Sequence, residues 1–405
     1  MSTLFVNIQS LLQTRPEPPP YVAGADMQRL PTLENAYLLA EHGRIVAFGA
    51  MRDCPDPAAH EVIDATGRLV LPAWCDSHTH LVYAGDRSEE FRDRIRGLTY
   101  AEIAARGGGI LHSARRTEAA TEASLYAQAA ERLRVVMAQG TGAVEIKSGY
   151  GLSPAAELKL LRVIARLRRE FSIPIRATFL AAHALPAAFR NDKATFLRGM
   201  LDLLPTIAAE GLADYIDVFC ETGYFDRVDT ERILAAGRQY GLLGKIHVNQ
   251  FTAIGGVAAA VRHGARSVDH LEILETADLE VLRGSTTMPV ALPGCSFFLG
   301  LPYTPGRRLL DAGLPLALAS DYNPGSAPSG NMNFVVATAC IKMRLSPEEA
   351  INAATLNGAY AMGLEREVGS ITVGKRANLI LTKPVPSYTF LPYSFGADLV
   401  ERVFV

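Results

Sequence analysis

The segment DSHTHLVYAGDR, residues 76–87, places His78 and His80 two apart at the end of an apolar run and sets Arg87 seven residues further on. In an extended strand, residues two apart point the same way, so one strand end can aim both imidazoles at a single point while Thr79 faces the other side. Alone, such a pair reads as two solvated strand tips. Its company changes that reading, because His247 and Asp321 close two later apolar runs. Three imidazoles and one carboxylate suit a divalent cation of borderline softness, Zn2+ or, less specifically, Fe2+, Mn2+ or Ni2+, and leave room for a water. Zn2+ brings the pKa of its water to about 7 and so supplies hydroxide at neutral pH. Asp321 can take that proton and later deliver it to a leaving nitrogen. Hydrolysis of a carbon–nitrogen bond is the chemistry this set favours. His270, at the end of another run, either hydrogen-bonds the nucleophile or an emerging oxyanion, or orients Asp321 from behind.

Residues so far apart in the chain need a scaffold that gathers strand ends. From about residue 120 short apolar runs alternate with segments of helical period, the pattern of repeated βα units. Leu125, Ala129, Leu133, Val136 and Met137 share one helical face, which Gly140 terminates; Ser153 and Pro154 open the next helix as N-cap and first-turn proline. The runs RLVLPAWCDSHTH, GAVEIKS, IRATFLAAH, YIDVFCE, GKIHVNQ, SVDHLE, TTMPVALPG and PLALASDYN are eight, the number that closes a (β/α)8 barrel. They end in His78 and His80, Lys147, His183, Glu221, His247 and Gln250, His270 and Asp321. A barrel brings all strand C-terminal ends to one face, so these residues converge there.

The flanks do not fit the barrel. Residues 1–62 together with 368–405 predict a small β-sandwich domain built from both ends of the chain, with the TIM-type (β/α)8 barrel spanning 63–367. The long stretch 83–118 contains Gly107, Gly108 and Gly109, and reads equally as a hinged lid or as a chain reversal.

Composition narrows the partners. The 405 residues hold 40 Lys plus Arg against 42 Asp plus Glu, with no long run of either sign, which argues against nucleic acid and against a basic membrane anchor. No apolar run reaches the roughly 18 residues of a membrane span, and the first residues lack the basic region and cleavage site of a signal peptide. Cys54, Cys75, Cys220, Cys295 and Cys340 are odd in number and widely spaced, as expected of reduced thiols in a cytoplasmic protein. A small-molecule substrate is the remaining expectation.

The motifs DSHTHLVYAGDRSEEF, EIKSGYGL, AAHALP, DVFCETGYF, DHLE, LPG and SDYNPGS resemble those of the amidohydrolase superfamily, and most closely its branch that opens imidazolone rings in histidine degradation. The resemblance covers strands one to eight in order, and a β-domain from both termini is similar to the superfamily's usual companion. It implies hydrolysis of the ring amide of 4-imidazolone-5-propanoate to N-formimidoyl-L-glutamate, one divalent metal, Zn2+ or Fe2+, and a homodimer. Carried over by motif, the ligands are His78, His80, His247 and Asp321, with Asp321, His270 and His183 as catalytic groups. Substrate contacts fall on Arg87, Tyr150, His183, Gln250, Asn323, Gly325 and Ser326.

Each of these contacts has a physical reading beside the analogy. Arg87 offers a planar fork for a carboxylate, or pairs with Glu89 or Glu90 at the surface. Tyr150 covers a heterocycle or packs. His183 polarises the scissile carbonyl. Asn323, Gly325 and Ser326 bind the polar edge of a substrate or simply form the turn NPGS. Some members carry glutamate where this chain has Gln250, which cannot take a proton and so shifts proton transfer toward Asp321. A deaminase or cyclic-amide hydrolase of another heterocycle is the nearest rival, although an arginine kept for a carboxylate argues against neutral nucleobases. A barrel retained only for binding would show broken ligand positions, and all four stand.

Overall fold

A computed structural model describes residues 2–98, 102 and 108–405. Eight strands, β6 (Trp74–Thr79), β7 (Thr141–Lys147), β8 (Ile175–Ala182), β9 (Tyr215–Cys220), β10 (Leu243–Val248), β11 (Ser267–His270), β12 (Met288–Ala291) and β13 (Ala317–Leu318), lie side by side in chain order. All neighbouring pairs are parallel, as strands joined by crossover helices must be. The last strand returns to the first. Asp321 N–H donates to the His78 carbonyl at 3.0 Å and His80 N–H to the Tyr322 carbonyl at 2.8 Å, with Thr79 bridged to Tyr322. β13 is short because its continuation turns aside: Ser320 gives its N–H and hydroxyl to Asp76, at 3.0 and 2.6 Å, and Asp321 adopts a left-handed φ of 57°. The barrel therefore closes on a seam that carries His78, His80 and Asp321.

Helices pack outside. Glu122–Ala138 is capped by Thr121, which accepts from Ser124 N–H at 3.2 Å. Gly140, at φ 108°, reverses the chain into β7 where a Cβ would come within 3.0 Å of Trp74 and Ile380. Pro154–Glu170 starts at its Ser153 cap. Both helices follow the sequence pattern.

The remaining strands, β1 (Ser2–Leu12), β2 (Thr32–Glu41), β3 (Arg44–Ala50), β4 (Glu61–Asp64), β5 (Leu69–Pro72), β14 (Leu379–Thr382) and β15 (Val400–Phe404), form one seven-stranded sheet from both ends of the chain. Phe5, Ile8, Leu11, Leu38, Val70 and Leu379 give it an apolar core. The run RLVLPAWCDSHTH is not one strand. Its first half, β5, pairs with β1 and β14, and Ala73 passes the chain to β6 by donating to the Asn378 carbonyl at 2.9 Å. The boundary expected at residue 62 thus falls inside the terminal sheet, within β4. Within 83–118, helices span Ser88–Ile95 and Ile110–Ala119; Gly107, one of the three glycines of the expected hinge, lies outside the described residues. Among the described residues no helix is long and apolar enough to cross a membrane.

Candidate active site

At the C-terminal ends of the barrel strands each imidazole is fixed from behind. His78 Nδ1 donates to Asp269 Oδ2 at 2.6 Å, His247 Nδ1 lies 3.0 Å from Asp217 Oδ2, and His80 Nδ1 donates to the Ser148 carbonyl at 3.3 Å. Carboxylate and carbonyl oxygens only accept, so Nδ1 holds the hydrogen in each ring and Nε2 keeps its lone pair. Those lone pairs face one another: Nε2 of His247 is 3.0 Å from that of His78 and 3.4 Å from that of His80. Asp321 Oδ1 stands 3.6 and 3.7 Å from Nε2 of His78 and His80. Four acceptors with no proton between them repel unless a cation sits at their centre. Ligand atoms on tetrahedral Zn2+, with bonds of about 2.0–2.1 Å, are ~3.3 Å apart, so the donor set fits such an ion in both chemistry and spacing.

The electrostatics agree with neutral rings. Burial, followed by Lys147 and the neighbouring imidazoles, holds His78 well below the usual histidine range; burial and His183 do the same for His80. Burial raises the Asp321 carboxyl against the opposing pull of His270 and His247. His270 resists burial and is raised, chiefly by Glu272, whose Oε1 lies 3.4 Å from its Nδ1. Strain gathers here too. Asn249, His270, Leu271 and Asp321 all have φ between 55° and 91°, conformations that cost non-glycine residues about 1–3 kcal/mol each and persist only where surroundings enforce them.

His183, Tyr150, Gln250, Asn323 and Ser326 join His80, His247, His270 and Asp321 around one pocket. His183 lies nearly parallel to His80, centroids 5.3 Å apart, and its Nδ1 donates to the Gly149 carbonyl at 2.9 Å. Burial and His247 push its pKa down to about 3, so its Nε2 also presents a lone pair. Tyr150 stands edge-on to His80 and His183 and donates to Asn323 Oδ1 at 3.3 Å. Gln250 reaches Cys295 Sγ at 3.4 Å. The NPGS segment is largely satisfied within itself. Asn323 Oδ1 accepts from Gly325 and Ser326 N–H, both at 2.8 Å, and Asn323 Nδ2 donates to the Asp321 carbonyl at 2.6 Å. Asn323 thus builds the turn, and with Ser326 it also lines the pocket.

Arg87 sits above, in a wider mouth shared with Tyr83, Phe91, Arg94, Phe219, Phe251 and Phe298. Its Nε and Nη2 both donate to Glu90 Oε2, at 2.9 and 2.6 Å, the pairing weighed from sequence. The pair is not a surface one, since the side chains are only 13% and 15% exposed. A Cβ on Gly325 would lie 2.1 Å from Arg87 Nη1, so the glycine gives the arginine room. Glu221, also at a strand end, points away from this chemistry. It ties two loops by accepting from Thr222 and Phe251 N–H at 3.0 and 2.9 Å and from the Thr252 hydroxyl.

Sequence reasoning did not single out Asp217 and Asp269. A carboxylate inside an otherwise apolar strand was the available signal, as in YIDVFCE and SVDHLE, because a charge buried there needs a dedicated partner.

A profile described as the Amidohydrolase family matches residues 302–402. Imidazolonepropionase from Christiangramia forsetii is 57% identical over 406 residues, covering 100% of this chain and 99% of the relative. Imidazolonepropionase from Flavobacterium psychrophilum is 58% identical with the same coverage. Among solved structures, atrazine chlorohydrolase from Arthrobacter aurescens complexed with zinc superposes with a TM-score of 0.76 at 17% identity, covering 100% of this chain and 94% of that one. At that identity the likeness is one of fold.

Proposed function

The chain belongs to the imidazolonepropionases, amidohydrolases that act on cyclic-amide carbon–nitrogen bonds, and from this premise we propose how its residues divide the work. The reaction is hydrolysis of the ring amide of 4-imidazolone-5-propanoate to N-formimidoyl-L-glutamate. The observation that carries the assignment of roles is the convergence of Nε2 lone pairs from His78, His80 and His247 on one point beside Asp321. These four residues hold one divalent cation, Zn2+ or Fe2+. When bound, the cation supplies Lewis acidity and makes water a competent nucleophile near neutral pH.

The chain's own groups do the rest. Asp321, whose Oδ2 lies 3.4 Å from Ser326 Oγ, takes the proton of the attacking water and returns it to the departing ring nitrogen. His270, backed by Glu272, can carry hydrogen on Nε2 and donate to the oxygen that gains charge. His183 takes a different part from the carbonyl-polarising one expected of it. With its hydrogen committed to Gly149, the neutral ring accepts a hydrogen bond from a ring N–H of the substrate. Tyr150 covers the heterocycle, and Gln250, Asn323 and Ser326 close on its polar edge. Gly325 lets Arg87 reach in, and Arg87 Nη1 meets the propanoate arm while Glu90 holds the other side of the fork. A homodimer fits the exposed Ile341 and Tyr393, on the packed helices Met332–Met343 and Phe390–Tyr393; five free cysteines fit a reducing cytoplasm.

The test is turnover itself. Metal-loaded protein mixed with fresh imidazolone propanoate should consume its ultraviolet absorbance and release formimidoylglutamate. The same protein stripped by chelator should be inactive, and readdition of about one equivalent of metal should restore it. Full activity without metal, or none with it, contradicts the reading.

A further inference from the structure

Beneath the histidines lies an ionic layer that none of these steps uses. Glu145 and Lys147 of β7, Asp217 of β9, Lys245 of β10 and Asp269 of β11 fill the barrel interior, each with 0% exposure. Lys147 Nζ is 2.7 Å from Glu145 Oε1, 2.9 Å from Asp217 Oδ2 and 3.6 Å from Asp269 Oδ2. Lys245 is paired differently: with Glu145, and with the carbonyls of Ser77 and Ala361 at 3.1 and 3.2 Å. The two Oδ2 atoms that face Lys147 are the same two that face Nδ1 of His78 and His247. One ammonium group thus touches both carboxylates that orient two imidazoles from different strands.

We propose that Lys147 is a positioning residue for the metal, which fixes His78 and His247 in register through the shared Oδ2 atoms of Asp269 and Asp217. The inference rests on the ligand set proposed above. Its physical basis is that two ammonium groups face three carboxylates in this layer, so both lysines are needed to hold it. Both lysines act on Asp269 electrostatically, but Lys147 is the one within 4 Å of both Oδ2 atoms behind the ligands. Without it, Asp217 and Asp269 lose their common anchor and repel across the barrel axis, and each is free to turn its Oδ2 away from its histidine. Asp217 and Asp269 are the partners one bond behind the ligands, a position typically worth about 10–100-fold in metal affinity, and that figure is the ceiling for Lys147, which acts through them. A lysine that served only to neutralise buried charge would have no such preference for the carboxylates behind the ligands, and Lys245 provides the comparison.

The experiment measures Zn2+ affinity by competition with a chromophoric chelator, together with the visible absorption of the Co2+-loaded protein, for the parent, Lys147→Met and Lys245→Met. Lys147→Met should bind Zn2+ about tenfold more weakly, the lower end of the range for direct partners of a ligand, and shift the Co2+ spectrum. Lys245→Met should keep affinity and spectrum near those of the parent while lowering the thermal midpoint of the apoprotein. The charge-balanced double variant Lys147→Met with Glu145→Gln decides the matter should the single variant not fold, and it should show the same loss. Parental affinity and spectrum in the Lys147 variants would overturn the proposal, as would an equal loss in Lys245→Met. A parent that takes up no Zn2+ or Co2+ would instead remove the ligand set itself, and this inference with it.

Discussion

His78 and His247 stand on barrel strands with a buried carboxylate 2.6 and 3.0 Å behind each ring, whereas Arg87 caps a short helix outside the barrel and shares its fork with Glu90, three residues along. The floor is over-determined. Its groups are locked by neighbours that are locked in turn, down to the lysines of the barrel interior, and such rigidity is what a site needs when charge develops at a fixed point. At the rim, one pair of side chains shares a mouth lined by Phe91, Phe251 and Phe298, and an incoming carboxylate shares the arginine with Glu90, which keeps its Nε and Nη2 side. The contrast assigns chemistry to the floor and recognition to the rim. Floor variants should then lower kcat, and rim variants should act through KM.

The largest effect should come from Asp321→Asn. It leaves the side chain's shape but removes the only proposed proton shuttle, and turnover should drop about 100-fold to 10,000-fold in protein whose metal content has been measured. A loss confined to KM would break the floor's half of the comparison. Gly325→Ala should be milder. The added Cβ would lie 2.1 Å from Arg87 Nη1, so the fork has to move; KM for imidazolone propanoate should rise about tenfold, or 1.4 kcal/mol, with kcat nearly unchanged. Steady-state kinetics separate the two. Gln250→Ala is the smallest, a few-fold rise in KM, because the amide it removes only brushes Cys295. If it harmed turnover more than Asp321→Asn, the proton-transfer role would belong elsewhere.

The sequence exposed the floor more readily than the layer below it. Strand-end histidines at spacing two, and an aspartate closing the eighth run, announce themselves because apolar strands seldom end in such residues. The eight runs likewise predicted the barrel, and β6 to β13 follow them one by one. Asp217, Lys245 and Asp269 were hidden by the same strands. Their partners are fixed by register across the barrel, which no local pattern encodes: Lys147 meets Asp217 across 70 positions of chain, and only the folded sheet brings them to 2.9 Å. The split of RLVLPAWCDSHTH into β5 and β6 was equally silent, because a strand that changes sheets keeps its apolar character through the change. At the rim, spacing alone left Arg87 between Glu89 and Glu90. The helix Ser88–Ile95 settles it by turning Glu90 inward and leaving Glu89 to pair with Arg92.

One measurement tests the division between floor and rim most directly: kcat/KM of the parent and of Arg87→Met, each on imidazolone propanoate and on an imidazolone lacking the propanoate arm. Removing one partner of a buried charge pair costs about 2–5 kcal/mol, so on the full substrate the variant should lose a factor of roughly 30 to several thousand. On the truncated compound the two proteins should be nearly equal, because the floor that does the chemistry is intact in both. An equal loss on both compounds would mean that Arg87 serves the ring or the metal site, and the division between a chemical floor and a recognising rim would be wrong.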